Sequence, residues 1–318
     1  MHKIFRNKKI LIAGGAGLVG TNLTEHLVKQ KANITSSFFS KIKNKKLKKY
    51  YKKFNFLNIK DCLKSTKNKD IVIICAVQGG GIKLLKKATS SSIIPNILIR
   101  ANLLEACKVN KVKKVIWISS STVYQPANCP IRERDIDLNK SPYPIYRNVG
   151  WSYRYLEKLF NFYQRTTNLD IKVIRTTSIY GPYDNFDNEK SHVVPALIKK
   201  ALKKDKPFTV LGDKKVIRDF VYVDDLVLAI IKLIKSNKKI SPMNFSNANE
   251  MSIENLSKLI LLLCNRKSKI IFNSKNLSSA KYRVLNNSLF DKTFGKIKRT
   301  DIKDGLKKTI SWYLNYSN

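Results

Sequence analysis

The chain has 318 residues, 43% of them apolar, and 62 basic against 22 acidic side chains give a formal net charge of +40. This apolar content excludes a disordered protein, and no apolar run is long enough to span a membrane. The five cysteines show no paired spacing, which excludes a disulfide scaffold and gives no reason to expect a metal site. Lysine is spread along the whole chain, with one dense run at 41–53, so solvated faces are expected and a nucleic-acid partner is not. A strand-like segment begins at once with no signal-peptide pattern before it, which predicts a cytoplasmic protein.

The first organising feature is the stretch KILIAGGAGLVG at 9–20. A short apolar run breaks into glycines three residues apart and then resumes with helical periodicity, which predicts a strand, a tight turn and a helix. The backbone N–H groups at the start of such a helix attract a pyrophosphate. We therefore predict that this turn binds a dinucleotide cofactor through Gly14, Gly17, Leu18, Val19 and Gly20.

The first half of the chain alternates strands and helices. Strands are predicted at 33–38, 54–58, 70–77 and 114–120, and helices at 18–30 and 95–110. Such alternation predicts an α/β fold with a doubly wound parallel sheet, and the elements that follow predict a smaller C-terminal α/β lobe. We expect residues 1–180, with a returning strand near 242–247, to form the dinucleotide-binding domain, and 181–241 with 248–318 to form the lobe.

Ligands of such a sheet gather at the carboxyl ends of its strands. Val77 and Ser119 end two of the predicted strands and are expected to contact the cofactor, and the glycines at 79–81 follow the first of these strands. The second strand ends without the carboxylate that often binds the adenosine ribose. Ser37 stands there instead, with Lys41 and Lys43 beyond it, so NADP(H) is favoured over NAD(H).

Several segments together resemble the extended short-chain dehydrogenase/reductases of the NAD-dependent epimerase/dehydratase type. They are GGAGLVG at 14–20, SSSTVY at 119–124, IYGPYDNF at 179–186, SHVVPALIKKA at 191–201 and RDFVYVDD at 218–225. More narrowly, the chain looks like the GDP-L-fucose synthases and their nucleotide-sugar relatives. The resemblance implies a nucleotide-sugar substrate, with a GDP-linked sugar favoured, and a homodimer formed through two helices on the sheet face.

The resemblance also implies a serine, a tyrosine and a lysine that act together on a sugar carbonyl or alcohol. Ser120 matches the serine. The tyrosine and lysine are expected one helical turn apart, and counting back from the segment at 179–182 puts Val149 and Tyr153 there. Valine carries no acidic proton and Tyr153 offers no cation, although its position assigns Tyr153 to the cofactor site.

Three tyrosines are candidate substitutes for the missing acid. If a helix begins after Pro144, Tyr146 and Tyr153 lie one turn to either side of Val149, and we rank Tyr146 first and Tyr153 second. Tyr143 ranks third, because a pair of Tyr143 with Arg147 would shift the downstream helix by six residues. The alternative is that these aromatic side chains belong to an inactive or redirected site.

The remaining candidates follow from the same resemblance. GDP-L-fucose synthases also epimerise their substrate with a cysteine and a histidine, and here His192 is present whereas Thr122 replaces the cysteine. A threonine hydroxyl is too weak an acid for that task without strong activation, so double epimerisation is doubtful. Arg218, and after it Lys200, are candidates to bind the diphosphate. Asn185 and Val193 are expected to line the pocket.

Two functional interpretations remain open from the sequence. The first is an NADP-dependent oxidoreductase and epimerase of a nucleotide-linked 4-keto sugar with an altered Tyr/Lys pair. The second is a catalytically silent relative that binds dinucleotide and sugar nucleotide as a scaffold or sensor. The departure at Val149 and Tyr153 separates them.

Overall fold

The computed structural model describes residues 5, 7–79, 90–203, 207–238, 242–273 and 280–317. Its centre is a seven-stranded sheet in the order β11-β6-β5-β4-β1-β2-β3, in which every neighbouring pair is parallel. The strands of this sheet are β1 Lys9–Ala13, β2 Asn33–Phe38, β3 Tyr51–Lys53, β4 Ile71–Ile74, β5 Lys114–Ser120, β6 Asp170–Thr176 and β11 Met243–Phe245. The predicted doubly wound α/β fold is confirmed.

Helices cover both faces of the sheet. The described helices are α1 Leu18–Lys29, α2 Ile59–Thr66, α3 Ser90–Val109, α4 Arg147–Thr166, α5 Val193–Leu202, α6 Val223–Lys235, α7 Ile253–Leu263, α8 Ser288–Phe294 and α9 Ile302–Ser317. Along β1, Ile10 and Ile12 join the core under α1 and α6, whereas Leu11 and Ala13 join the core under α3 and α4. Because both faces are covered, the central strands are apolar throughout and do not alternate.

The third strand was predicted at the wrong place. It spans Tyr51–Lys53 at the end of the basic run, and the segment predicted at 54–58 follows it as a turn. Tyr51 is buried and Lys52 and Lys53 are exposed, as befits an edge strand with one face in solvent. Phe54 and Phe56 still enter the core, which explains why their apolar spacing looked like a strand.

A third apolar cluster lies outside the sheet, among the segments that follow residue 180. Short strands accompany it: β7 Ser178–Tyr180 pairs with β10 Phe220–Tyr222, and β8 Phe208–Leu211 pairs with β13 Ile270–Asn273. The strand β9 Ile217–Arg218 lies between β12 Met251–Ser252 and β14 Tyr282–Arg283. Arg218 on β9 and Arg283 on β14 are register partners, so the two arginines lie side by side on adjacent strands.

Candidate active site

The glycine turn between β1 and α1 is shaped by close backbone contacts. Gly14 has a φ of 86°, and a Cβ there would lie 2.5 Å from Ala76 Cα in the segment after β4. A Cβ on Gly20 would lie 2.2 Å from the carbonyl oxygen of Gly14. The helix α1 begins after Gly17 with no side chain capping it, so the N–H groups at its start, those of Leu18 and Val19 among them, face outward. This donor set fits the diphosphate of a dinucleotide.

The end of β2 lies directly beneath this turn. The Ser37 hydroxyl accepts a hydrogen bond of 2.7 Å from the Gly14 N–H and is buried. Lys41 is exposed, whereas the Lys43 ammonium donates to the carbonyl of Tyr183. Hydroxyl and ammonium groups thus border the turn where a carboxylate often lies in dinucleotide folds.

Two more residues predicted for the cofactor site follow β4 and end β5. Val77 keeps 58% of its surface exposed at the end of β4, beside Gln78 and Gly79. The glycines at 80 and 81 lie outside the described residues. Ser119 is buried, and its hydroxyl donates to Glu157 Oε1 at 2.6 Å.

A buried polar network that the sequence did not predict continues from Glu157. Its carboxylate forms an ion pair of 2.6 Å with Arg175, which donates at 2.7 Å to the Tyr124 hydroxyl. Tyr124 in turn donates to Asn244 at 2.7 Å, and burial raises its pKa to about 12. In the sequence, the only indication of this network is Arg175 in the segment DIKVIRT, which forms β6. It joins α4, β6 and β11 beneath the site and fixes where α4 lies.

Ser120 and Thr122 lie together where α4 approaches β5. The Thr122 hydroxyl donates to Ser120 Oγ at 3.0 Å, and the Thr122 N–H reaches the same oxygen at 3.2 Å. A Cβ on Gly150 would lie 2.5 Å from the Thr122 carbonyl oxygen, so the start of α4 touches this loop. Val149, at the expected tyrosine position, is the residue before Gly150 in this first turn of α4.

Tyr146 does not lie on α4 itself. A 3-10 turn at Pro144–Tyr146 precedes the helix, so Tyr146 leaves the helical face that the sequence predicted for it. Its side chain is buried, with the guanidinium groups of Arg218 and Arg283 close to it. Burial opposes ionisation of the phenol, but the two guanidinium groups outweigh this effect and lower the pKa of Tyr146 below its usual value.

The two arginines come from adjacent strands of the lobe. Arg218 is 5% exposed, and burial, followed by the charge of Arg283, lowers its pKa to about 10. The Arg283 guanidinium lies 4.9 Å above the Tyr146 ring and donates to Ser178 Oγ at 3.3 Å. Its buried Nε has no acceptor among the described residues. Arg283 was missed from the sequence because no motif distinguishes it from the many other basic residues.

The remaining predicted residues are distributed around this cluster. His192 precedes α5. Desolvation of its ring, followed by the charge of Arg283, lowers its pKa. Val193 is the partly buried first residue of α5. Asn185 Oδ1 accepts from the N–H of Asp187 at 3.0 Å, and Lys200 donates to the carbonyl of Thr209 at 2.6 Å.

The three candidate tyrosines separate into two places. Tyr143 and Tyr146 line one narrow cleft with Thr122 and Arg283. Tyr153 instead enters the core, where its hydroxyl accepts from Arg100 at 2.9 Å and its ring lies 5.5 Å from that of Trp117. Only the first two phenols share a cleft with the Ser120 and Thr122 loop.

This arrangement of glycine turn, serine loop and arginine-lined cleft can now be compared with known proteins. Residues 10–246 match the NAD dependent epimerase/dehydratase family. The chain belongs to that family. Membership confirms the predicted superfamily and agrees with the expectation of an enzyme.

Other members of the epimerase/dehydratase family are similar over nearly the whole chain. A GDP-L-fucose synthase of Dictyostelium discoideum is 26% identical, with 97% of this chain and 96% of that protein covered. A GDP-mannose 3,5-epimerase of Oryza sativa subsp. indica is 25% identical, with 96% and 81% covered. The crystal structure of a GDP-L-fucose synthetase from Naegleria fowleri bound to NADP has a TM-score of 0.81 at 21% identity, covering 98% of this chain and 95% of that one.

Two further findings concern the described part of the chain alone. None of its helices has the length and apolar character needed to cross a membrane. Within the same residues, histidine, cysteine and acidic side chains form no group of three that could hold a metal ion.

Proposed function

We propose that this protein is an NADP(H)-dependent reductase and epimerase of a GDP-linked 4-keto sugar, in which Tyr146 is the proton donor. The observation that carries the proposal is the position of Tyr146, whose ring lies 4.9 Å from the Arg283 guanidinium in the cleft that Thr122 also lines. An acid, a hydroxyl pair and two fixed positive charges are thus assembled beside the position that Val149 leaves without a proton.

The chemistry required of the chain is a single proton transfer. When bound, the reduced nicotinamide supplies a hydride to the carbonyl carbon of the sugar. Tyr146 gives its proton to the carbonyl oxygen, and Ser120 orients that oxygen by donating a hydrogen bond to it, while the Thr122 hydroxyl donates to Ser120 and holds it in place. The phenolate that remains is stabilised by the adjacent guanidinium groups until it recovers a proton from water. In this proposal the charges of Arg218 and Arg283 lower the pKa of the acid, which is one of the two tasks that the resemblance assigns to a neighbouring lysine.

The same arginines are suited to hold the diphosphate of the substrate. Guanidinium groups bind phosphate oxygens in pairs, and Arg283 Nε is a buried donor that lacks an acceptor among the described residues. Lys200 remains a second candidate, although its ammonium already contacts Thr209. Asn185 and Val193 are proposed to line the sugar pocket.

His192 is proposed to act at a carbon beside the keto group or to hydrogen-bond the sugar. Its lowered pKa keeps the ring neutral, and a neutral imidazole can accept a proton. Thr122 has no such capacity. We therefore propose epimerisation at a single carbon and not at two.

NADP(H) is proposed over NAD(H) because Ser37 and Lys41 border the adenosine end of the glycine turn without a carboxylate. In this proposal, residues 1–180 and the strand near 242–247 hold the cofactor, and 181–241 with 248–318 hold the sugar nucleotide. The protein is proposed to act in the cytoplasm.

A homodimer through α3 and α4 is proposed from their exposed apolar side chains. Ile94 and Leu98 on α3, and Trp151, Tyr155 and Phe162 on α4, are each at least 40% exposed. Apolar side chains gathered on neighbouring helices are typical of a protein interface. A monomer mass by light scattering of the purified protein would rule the dimer out.

The silent-relative alternative and the proposed reaction differ in one experiment. Purified protein is mixed with NADPH and GDP-4-keto-6-deoxymannose, and the loss of absorbance at about 340 nm, the reduced nicotinamide band, is followed. Wild type should turn over. Tyr146→Phe should lower kcat by about a hundredfold or more, the usual contribution of a positioned acid, with cofactor affinity unchanged.

Tyr143→Phe is the matched control, since it removes the other phenol of the same cleft and should lower kcat far less. If Tyr143→Phe is the variant that loses turnover, the pair with Arg147 is the acid site and Tyr146 is not. Bound cofactor without turnover in wild type would favour the silent relative.

A further inference from the structure

Arg100 on α3 is a charged side chain sealed inside the core between the sheet and α4. It is 2% exposed, and no carboxylate of the described residues pairs with it. The contrast is Arg175, equally buried, which pairs with Glu157 at 2.6 Å. A buried charge without a counterion is strongly unfavourable, so a fold keeps one only where it serves a purpose.

The contacts of Arg100 are all with neutral groups. One terminal nitrogen donates to the backbone carbonyl of Asn96 at 2.7 Å and to its side-chain oxygen at 3.1 Å, and the other donates to the Tyr153 hydroxyl at 2.9 Å. The guanidinium also lies 5.0 Å from the Tyr153 ring and 5.8 Å from the Trp117 ring. Its Nε finds no acceptor among the described residues. A buried donor without a partner is rare in a native fold and calls for an explanation.

The position of Tyr153 supplies that explanation. Tyr153 stands where the resemblance requires the lysine that binds the nicotinamide ribose. One turn further along α4, Glu157 reaches both Arg175 and Ser119, so this part of α4 lies against the end of β5. Because its oxygen accepts from Arg100, the Tyr153 hydroxyl keeps its own hydrogen available for another acceptor.

Arg100 is also linked to the segment that borders the glycine turn. The side-chain amide of Asn96 donates to the Gln78 carbonyl at 2.6 Å, and its oxygen accepts from the Gln78 N–H at 3.0 Å. Gln78 follows Ala76, the residue against which Gly14 packs. Asn96 thus lies between the guanidinium and the loop beside the cofactor turn.

We propose that Arg100 provides from α3 the positive charge that the family lysine provides from α4, with Tyr153 as the group that donates to the nicotinamide ribose. Arg100 is a positioning residue in this arrangement, and Tyr153 is the contact. The inference rests on the proposed use of a nicotinamide dinucleotide and adds which residues hold its reactive end.

The test measures NADPH affinity by the change in nucleotide fluorescence on titration, with thermal unfolding followed in parallel. Arg100→Met fills a similar volume without the charge and should weaken NADPH binding by about tenfold or more, as loss of a buried charge-assisted contact does. Tyr153→Phe should weaken binding in the same direction. Tyr153→Lys alone places two cations together and should both weaken binding and lower the melting temperature.

The decisive variant moves the charge instead of removing it. Arg100→Thr combined with Tyr153→Lys places one cation on α4 and should bring the dissociation constant back to within about threefold of wild type. A purely structural role for Arg100 would not be rescued by a charge at another position. If Arg100→Met fails to fold, Arg100→Lys replaces it and should bind within the same range as the double variant.

Three results would overturn the inference. They are wild-type affinity in Arg100→Met, folded Arg100→Lys that cannot bind NADPH, and a folded double variant whose affinity is not restored. A wild-type chain that binds neither NADPH nor NADH would overturn the proposed function as well, whereas the three results above leave that proposal standing.

Discussion

The two ends of the site differ in how the chain builds them. At the cofactor end, Gly14 and Gly20 allow backbone to approach backbone at distances that any side chain would prevent. At the sugar end, Val149 occupies the expected tyrosine position, and phenols and arginines gather beside it from a 3-10 turn and from separate strands.

The difference shows what each task demands of the chain. A diphosphate that is bound by backbone N–H groups requires a particular path of the main chain, so few residues other than glycine satisfy it. A proton donor requires only that its oxygen reach the carbonyl with a suitable pKa. We propose that Tyr146 meets that requirement from outside α4, because the charges of Arg218 and Arg283 favour its ionised form.

Replacement of Gly20 by valine should have the largest effect on the cofactor end. A Cβ there would lie 2.2 Å from the Gly14 carbonyl oxygen and 2.6 Å from Gly15 Cα, so the turn itself must move. We expect NADPH affinity to fall by more than about a hundredfold, measured by titration. Gly17→Ala is the control for folding, because its Cβ would meet no atom closer than 3.4 Å. Wild-type NADPH affinity in Gly20→Val would show that the turn does not bind the diphosphate.

The sheet was the most predictable part of the molecule. The strands Asn33–Phe38 and Lys114–Ser120 lie where they were predicted. Helices cover both faces of the sheet, and Lys114–Ser120 therefore reads as a largely apolar run. The edge strand Tyr51–Lys53 was not found, since only one of its faces is buried and lysines occupy the other. An edge strand with one buried face has fewer apolar residues to indicate it in the sequence than a central strand that is buried on both faces.

The cofactor turn was predictable for a related reason, since glycine spacing reflects the path of the backbone. The arginines were not. Arg100 lies inside an apolar helix and Arg283 inside a short strand, and neither residue differs in sequence from the many solvated basic residues. Contacts between distant segments, such as the one between Arg283 and Tyr146, decide which basic side chain is buried. A local sequence pattern does not indicate such contacts.

Arg283→Met should affect the sugar end alone. Loss of a charge-assisted contact to the diphosphate should raise KM for the sugar nucleotide by about tenfold to a hundredfold, while NADPH affinity stays at the wild-type value. Steady-state rates measured against both substrates separate the two effects. Arg266→Met is a matched control, because Arg266 donates to the carbonyls of Lys200 and Ala201 at the end of α5. An unchanged KM in Arg283→Met would remove Arg283 from the substrate site.

Asp184 lies in the turn that follows β7. It is buried beside Lys43 from the loop after β2, and its Oδ2 has no hydrogen-bond partner among the described residues. Oδ1 accepts from the Asn185 N–H at 2.7 Å. Burial raises the pKa of this carboxyl to about 7, although the Asn185 N–H and Lys43 act in the other direction.

The smallest expected effect is therefore a pH dependence of stability. The folded chain holds the Asp184 proton more tightly than the unfolded chain, so the free energy of unfolding should fall as pH rises from about 4 to about 7 and change little above that. Asp184→Asn keeps the acceptor without the charge and should gain about 2 kcal/mol over wild type near pH 8, but only about a quarter of that near pH 4.5. Chemical denaturation at both pH values measures this.

Asp187→Asn is the control, because hydrogen bonds from Glu189 and Lys190 lower the pKa of exposed Asp187, so its effect on stability should be the same at both pH values. An equal change at both pH values in Asp184→Asn would mean that this carboxyl is already ionised at the lower pH, and that the turn joins the two ends of the site through an ion pair with Lys43.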